Sequence, residues 1–175
     1  PVWGFGKVIE SNSVEINIGE RLFGYFPPAN MLSLKPTKIT DQSFSDGKDH
    51  RMDLPAVYNN YIRLSGDADY DSEMDNIRSL LFPLHITSFC ICDALEEKNY
   101  YGAEQILIVS ASSKTAIGLA QGLEEASSSP SIIGLTSQKN LDFVKNLGCY
   151  DEVITYDEIS SVNFQNKSVI VDMAG

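Results

Sequence analysis

The stretch Ile106-Leu107-Ile108-Val109-Ser110-Ala111-Ser112-Ser113-Lys114-Thr115-Ala116 decides the fold. Its apolar run, Ile106–Val109, has the unbroken character of a strand covered on both faces. The segment that follows the small residues, Lys114–Ala126, places Ile117, Ala120 and Leu123 on one face and predicts a helix. Strand, small-residue turn and amphipathic helix together open a βαβ unit. Towards the C-terminus the same grammar continues. Ser127–Pro130 reads as a loop, Ile132–Leu135 as a second buried strand, and Leu141–Leu147 as a helix ended by Gly148. Val153-Ile154 and Val169–Val171 are two more short strands, which makes a parallel sheet of about four strands.

Towards the N-terminus the pattern changes. Ile77–Leu95 predicts a helix interrupted at Pro83. Residues 41–75 are polar and turn-rich, with a helix or extended piece at Leu54–Leu64. Residues 1–40 read as strands and turns. Lys7-Val8-Ile9-Glu10 and Ser13-Val14-Glu15-Ile16 alternate polar and apolar, Arg21–Phe26 follows, and Gly4, Gly6, Gly19 and Gly24 punctuate them. That spacing fits a small antiparallel barrel. The expected division is therefore 1–75, a barrel-like unit, and 76–175, a parallel α/β unit. The chain begins at Pro1 without Met and stops just after a strand pattern, so a piece of a longer protein is expected. A sheet cut short leaves an edge that pairs readily, which predicts a homodimer formed through it.

Composition narrows the function. With 13 Lys and Arg against 24 Asp and Glu, the 175-residue chain has a net charge of −11, which argues against a nucleic-acid partner. Its 43% hydrophobic and 21% charged residues are ordinary globular usage. No uninterrupted apolar run approaches the ~18 residues of a membrane span, and no signal peptide opens the sequence, so no membrane partner is expected. Three cysteines are an odd count, read as free thiols in a reducing, cytoplasmic setting.

The turn Ser110-Ala111-Ser112-Ser113-Lys114-Thr115 carries the strongest chemistry. Ligands of parallel α/β sheets sit at the carboxyl ends of the strands, where a helix start offers free N–H groups and a positive dipole to an anion. Ser, Ser and Ala stand where the usual G-x-G-x-x-G glycines would be, so a plain strand-to-helix turn with a Ser cap is the rival reading. Ser113-Lys114-Thr115 lacks both glycines of a phosphate-binding P-loop. At the end of the second strand, Thr136, Ser137, Lys139 and Asn140 offer hydroxyls and a cation where an NAD site would place a carboxylate. This predicts NADP(H), although Ser137 also suits a helix cap.

Elsewhere the bland reading prevails. Asp67, Asp69, Asp71, Glu73 and Asp75 lack the Gly and Glu positions of a calcium loop and read as a solvated acidic segment. Cys90, Cys92, His50 and His85 have no zinc spacing, and Cys90 and Cys92 read as buried thiols, so no metal is expected. Tyr58 and Tyr61 are candidate proton donors to a reduced substrate, against the rival reading of aromatic packing.

Several of these strings carry a resemblance. Trp3–Phe26 with Gly19-Glu20-Arg21-Leu22, Pro83–Phe89, Gly102–Ala120, Gly134–Tyr156 and Asp172–Gly175 resemble successive segments of the medium-chain dehydrogenases/reductases. More narrowly, Ser110–Ala116 with Gly134–Ser137 and Val171–Gly175 resembles a sub-branch filed as a domain family of unknown function. The resemblance implies a partial GroES-like β-barrel followed by a Rossmann-type sheet flanked by helices, an α/β fold. It implies a phosphate turn at Ser110 to Ala116, 2′-phosphate contacts near Thr136, Ser137, Lys139 and Asn140, and an adenosine-side Tyr156. Zinc ligands are not found, which places the chain nearer the zinc-free quinone and enoyl reductases. An NADP(H)-dependent oxidoreductase acting on a small molecule is the first expectation. The alternative is a non-catalytic nucleotide-binding or interaction protein that keeps the fold.

Overall fold

Strands β1 (Val2–Lys7) and β2 (Arg21–Phe26) pair antiparallel from Val2↔Phe26 to Lys7↔Arg21 in the computed structural model, which describes residues 1–126 and 128–173. Further along come β3 (Pro36–Thr37), β4 (Ser43–Asp46), the short helix α1 (Ala56–Asn59) and β5 (Asn60–Arg63). They complete a five-stranded antiparallel sheet of order β1-β2-β5-β4-β3. The predicted piece at Leu54–Leu64 is thus a helical turn followed by a strand. Ser13–Ile16 forms no strand: Val14 is almost wholly exposed while Ile16 is buried with Leu22, Phe44 and Tyr61. Alternation there serves a loop that drops one anchor into the core. Gly24 lies under the Tyr61 ring, where a Cβ would come within 2.6 Å of Cδ1.

The acidic segment is exposed at Asp69, Asp71 and Glu73, as the solvated reading expects, and is tied down at its two ends. Asp75 pairs with Arg21 at 2.7 Å and Asp67 with Arg78 at 2.7 Å. The Arg21 guanidinium also donates to the Tyr70 hydroxyl and lies over the Phe5 ring, and Arg78 lies over Phe23. Aromatic faces beside the strands attract the cations, and the cations hold the carboxylates.

Helix α2 (Asp75–Glu97) runs through Pro83 without a break. A proline fixes φ near its helical value but removes one N–H and crowds the carbonyl four residues back, so the helix continues past Pro83 at a cost of about 3 kcal/mol. Its extension, Ser72–Glu97, is long and apolar enough to cross a membrane by length and composition, which counting uninterrupted runs did not reveal. Cys92 is buried and Cys90 exposed, correcting the expectation that both are buried; residues two apart point to different sides of a helix.

Then follow β6 (Gln105–Val109), α3 (Lys114–Glu125), β7 (Ser131–Thr136), α4 (Leu141–Lys145), β8 (Glu152–Thr155) and β9 (Ser168–Asp172). The four strands are parallel in the order β8-β7-β6-β9. Ile106, Ile108 and Ile132 meet Leu119, Ala120 and Leu123 of α3, while Leu107, Ile133, Leu135 and Ile154 line the opposite face. Both faces are covered at β6 and β7, as their unbroken apolar runs required, whereas Ile170 of the edge strand β9 is 60% exposed. Ser88 and Cys92 of α2 lie against Gly118 and Gly122 of α3, whose missing Cβ atoms let the helices close. The chain forms two compact units, Pro1–Leu80 and Leu81–Gly175. Ser127, Ala174 and Gly175, which belong to the predicted loop and to the last family-like string, lie outside the described residues.

Candidate functional site

The carboxyl ends of β6, β7 and β8 converge on the turn Ser110–Ser113. Ser110 is left-handed, at φ 58°. A side chain is strained there, and glycine is the residue that adopts this conformation at no steric cost. Hydrogen bonds from three directions hold the turn. The Tyr156 hydroxyl accepts from the Ser110 N–H at 3.1 Å, the Tyr150 hydroxyl donates to the Ala111 carbonyl at 2.9 Å, and Asn140 Nδ2 donates to Ser112 Oγ at 3.0 Å. The Ala111 N–H continues the sheet by donating to the Leu135 carbonyl at 2.9 Å. Gly134 makes room: a Cβ would sit 2.9 Å from Tyr150 Cδ1 and 3.1 Å from the Ala111 Cβ.

The Ser113 N–H donates to the Ser110 carbonyl at 2.8 Å, and Ser113 Oγ caps α3 by accepting from the Ala116 N–H at 3.3 Å. Among the described residues, the N–H groups of Ser112, Lys114 and Thr115 have no partner. They stand at the positive end of a 12-residue helix. The predicted Ser cap is therefore formed, and three open backbone donors lie beside it in the same turn.

One strand along, Thr136 is 1% exposed and its Oγ1 has no hydrogen-bond partner. An orphaned buried hydroxyl is uncommon and asks for a ligand or a water. Ser137 makes no side-chain cap bond, and Lys139 is exposed. The element they open is a three-residue turn, Gln138–Asn140, leading into the five-residue α4, so any anion there is met by side chains rather than a helix dipole. Ser110 to Thr115, Thr136 to Asn140 and Tyr156 thus come together at one end of the parallel sheet.

Tyr58 and Tyr61 lie in the antiparallel unit. Tyr61 is 0% exposed between Phe26 and Phe44, its hydroxyl has no partner, and burial pushes its pKa up. Tyr58 is 38% exposed and packs on Tyr25 and Trp3. Of the two, only Tyr58 reaches solvent.

A hollow of about 730 Å³ lies between α2 and α3, with Phe89, Cys92, Asp93, Glu96, Tyr100 and Glu125 on its walls. Burial and Glu96 push the Cys92 thiol up to about 11, so it is protonated at neutral pH and is no nucleophile. No group of three or more His, Cys, Asp or Glu among the described residues is placed to hold a metal ion.

The sequence matches, over residues 1–175, the family described as Protein of unknown function (DUF2855). The yhdH oxidoreductase from Salmonella enterica, solved in complex with NADP, aligns with 98% of this chain and 48% of its own at 14% identity and a TM-score of 0.50. The quinone oxidoreductase from Coxiella burnetii aligns with 99% of this chain and 48% of its own at 18% identity and a TM-score of 0.52. The chain spans about half the length of these solved structures. The fold is that of the medium-chain dehydrogenases/reductases. No curated protein matches the sequence.

Proposed function

The chain belongs to the DUF2855 family, and we propose that it contributes the phosphate- and adenosine-binding part of an NADP(H)-dependent oxidoreductase that acts on a small molecule. One observation carries the reading: three open N–H donors, of Ser112, Lys114 and Thr115, stand beside the orphaned Thr136 hydroxyl at the neighbouring strand end. An anion with a second polar group one strand away satisfies both. The pyrophosphate and ribose phosphate of a dinucleotide have that form. Ser110, Ala111 and Ser113 shape the cradle, and Ser137, Lys139 and Asn140 face the ribose 2′-phosphate. The nicotinamide would supply hydride transfer; the protein's part is to bind and orient. Tyr58 is the proton donor of this reading.

A second reading, nucleotide binding without catalysis, is favoured by the enclosed Tyr61, which leaves one of the two tyrosines unable to meet a substrate.

Titrating the protein with NADPH and NADH, and following the nicotinamide fluorescence, tests the proposal. The expected result is saturable binding with NADPH the tighter. Absence of binding, or tighter NADH, overturns it. Single-turnover oxidation of bound NADPH by quinones or conjugated enones separates the two readings.

A further inference from the structure

Three donors of the cradle are open, but the first is already taken. The Ser110 N–H donates to the Tyr156 hydroxyl at 3.1 Å, and the same hydroxyl lies 3.3 Å from Ser110 Oγ. The other occupied donors are fixed by the fold itself: Ala111 by the sheet, Ser113 by the turn and Ala116 by the helix cap. Tyr156 differs from them. It is 42% exposed, and its hydroxyl makes no other hydrogen bond among the described residues. It follows β8, so its chain position is set while its ring can swing away. Tyr150, bonded to the neighbouring Ala111 carbonyl, is more buried and holds the turn as a strut.

We infer that Tyr156 is an internal competitor for the phosphate. Its hydroxyl holds the Ser110 N–H until an anion displaces it. This rests on the nucleotide reading of the same turn. A phenol oxygen is a neutral acceptor, and a phosphate oxygen makes a charge-assisted bond roughly twice as strong. The ligand therefore wins the donor, at the expense of breaking the tyrosine bond. A weakly charged or single-phosphate ligand can use the outer donors of Ser112, Lys114 and Thr115 and leave Tyr156 in place. The latch thus costs affinity only for a ligand extended enough to need the Ser110 donor, and spares one that does not.

The test compares the protein with its Tyr156→Phe variant in two measurements. Amide hydrogen exchange at Ser110, without nucleotide, is expected to quicken in the variant; an unchanged rate overturns the latch. NADPH is expected to bind Tyr156→Phe about two- to tenfold more tightly, the equivalent of one neutral hydrogen bond. Adenosine monophosphate is expected to bind both proteins alike. Unchanged or weaker NADPH binding by the variant, with binding by the parent intact, overturns the latch and leaves the nucleotide reading standing. No NADPH binding by either protein overturns both.

Discussion

The Arg63 guanidinium grips Glu20 with two hydrogen bonds, Nε to Oε1 at 2.5 Å and Nη2 to Oε2 at 3.0 Å. Nη1 and Nη2 also donate to the Thr40 and Glu15 carbonyls, at 2.8 Å each. One side chain on β5 therefore fixes two loops that have little regular structure of their own.

Replacing Arg63 with Met leaves the Glu20 carboxylate without its partner and frees both carbonyls. Breaking a buried pair in this way costs about 3–5 kcal/mol, to be read from urea unfolding midpoints. The hydrogen bonds from Arg63 hold the Glu20 carboxyl below the usual carboxylate range. Its contribution is complete above the unfolded value and is lost as pH falls through the lower folded one. The parent should therefore lose stability on the acid side more steeply than Arg63→Met. Parallel acid limbs would remove the pair from the account.

Tyr61→Phe deletes a buried hydroxyl that has no partner. Removing an unsatisfied group relieves part of its desolvation cost, so the variant should match the parent or gain about 1 kcal/mol. Loss of stability in thermal melts would show that the hydroxyl is bonded in solution.

Gly118 and Gly122 separate two effects. A Cβ at Gly118 meets Ser88 Oγ at 2.8 Å, and that hydroxyl is held by the Leu84 and Thr115 carbonyls. A Cβ at Gly122 meets Cys92 Sγ at 3.3 Å. Both changes to Ala gain about 1 kcal/mol of helix propensity. Gly118→Ala should nonetheless lose about 1–2 kcal/mol through overpacking, and Gly122→Ala should come out near neutral. Adding Ser88→Ala should recover part of the Gly118→Ala loss. Equal effects at the two glycines would contradict the close crossing.

Lys139→Ala tests the proposed 2′-phosphate contact. A hydrogen bond to a charged group is worth ~1.5–3 kcal/mol, and exposure puts this one at the low end. NADPH should weaken about tenfold while NADH stays nearly unchanged. Equal losses for both would place Lys139 outside the site.

Unbroken apolar runs and helical periodicity were enough to set out the parallel sheet. Ile106–Val109 and Ile132–Leu135 are too apolar to sit anywhere but between two layers, and Lys114–Glu125 shows its buried stripe directly. Such local periodicities survive in one dimension because each residue's environment follows from its neighbours two, three or four places away. The anion turn was legible for the same reason, as a strand, small residues and a helix start in succession. Long-range pairing was not. Nothing in Ser13–Ile16 distinguishes a strand from a loop until Arg63 is seen to hold the Glu15 carbonyl. Tyr58 and Tyr61 look alike as text, and only the sheet decides that one faces solvent and the other fills the core. The struts on the phosphate turn come from Asn140, Tyr150 and Tyr156, 28 to 46 residues from their partners. The sequence by itself determined the strands and helices of the parallel sheet; the tertiary structure alone decided the strand pairing of the N-terminal unit and which donors are taken and which are free, because hydrogen bonds are settled by distances that chain order does not encode.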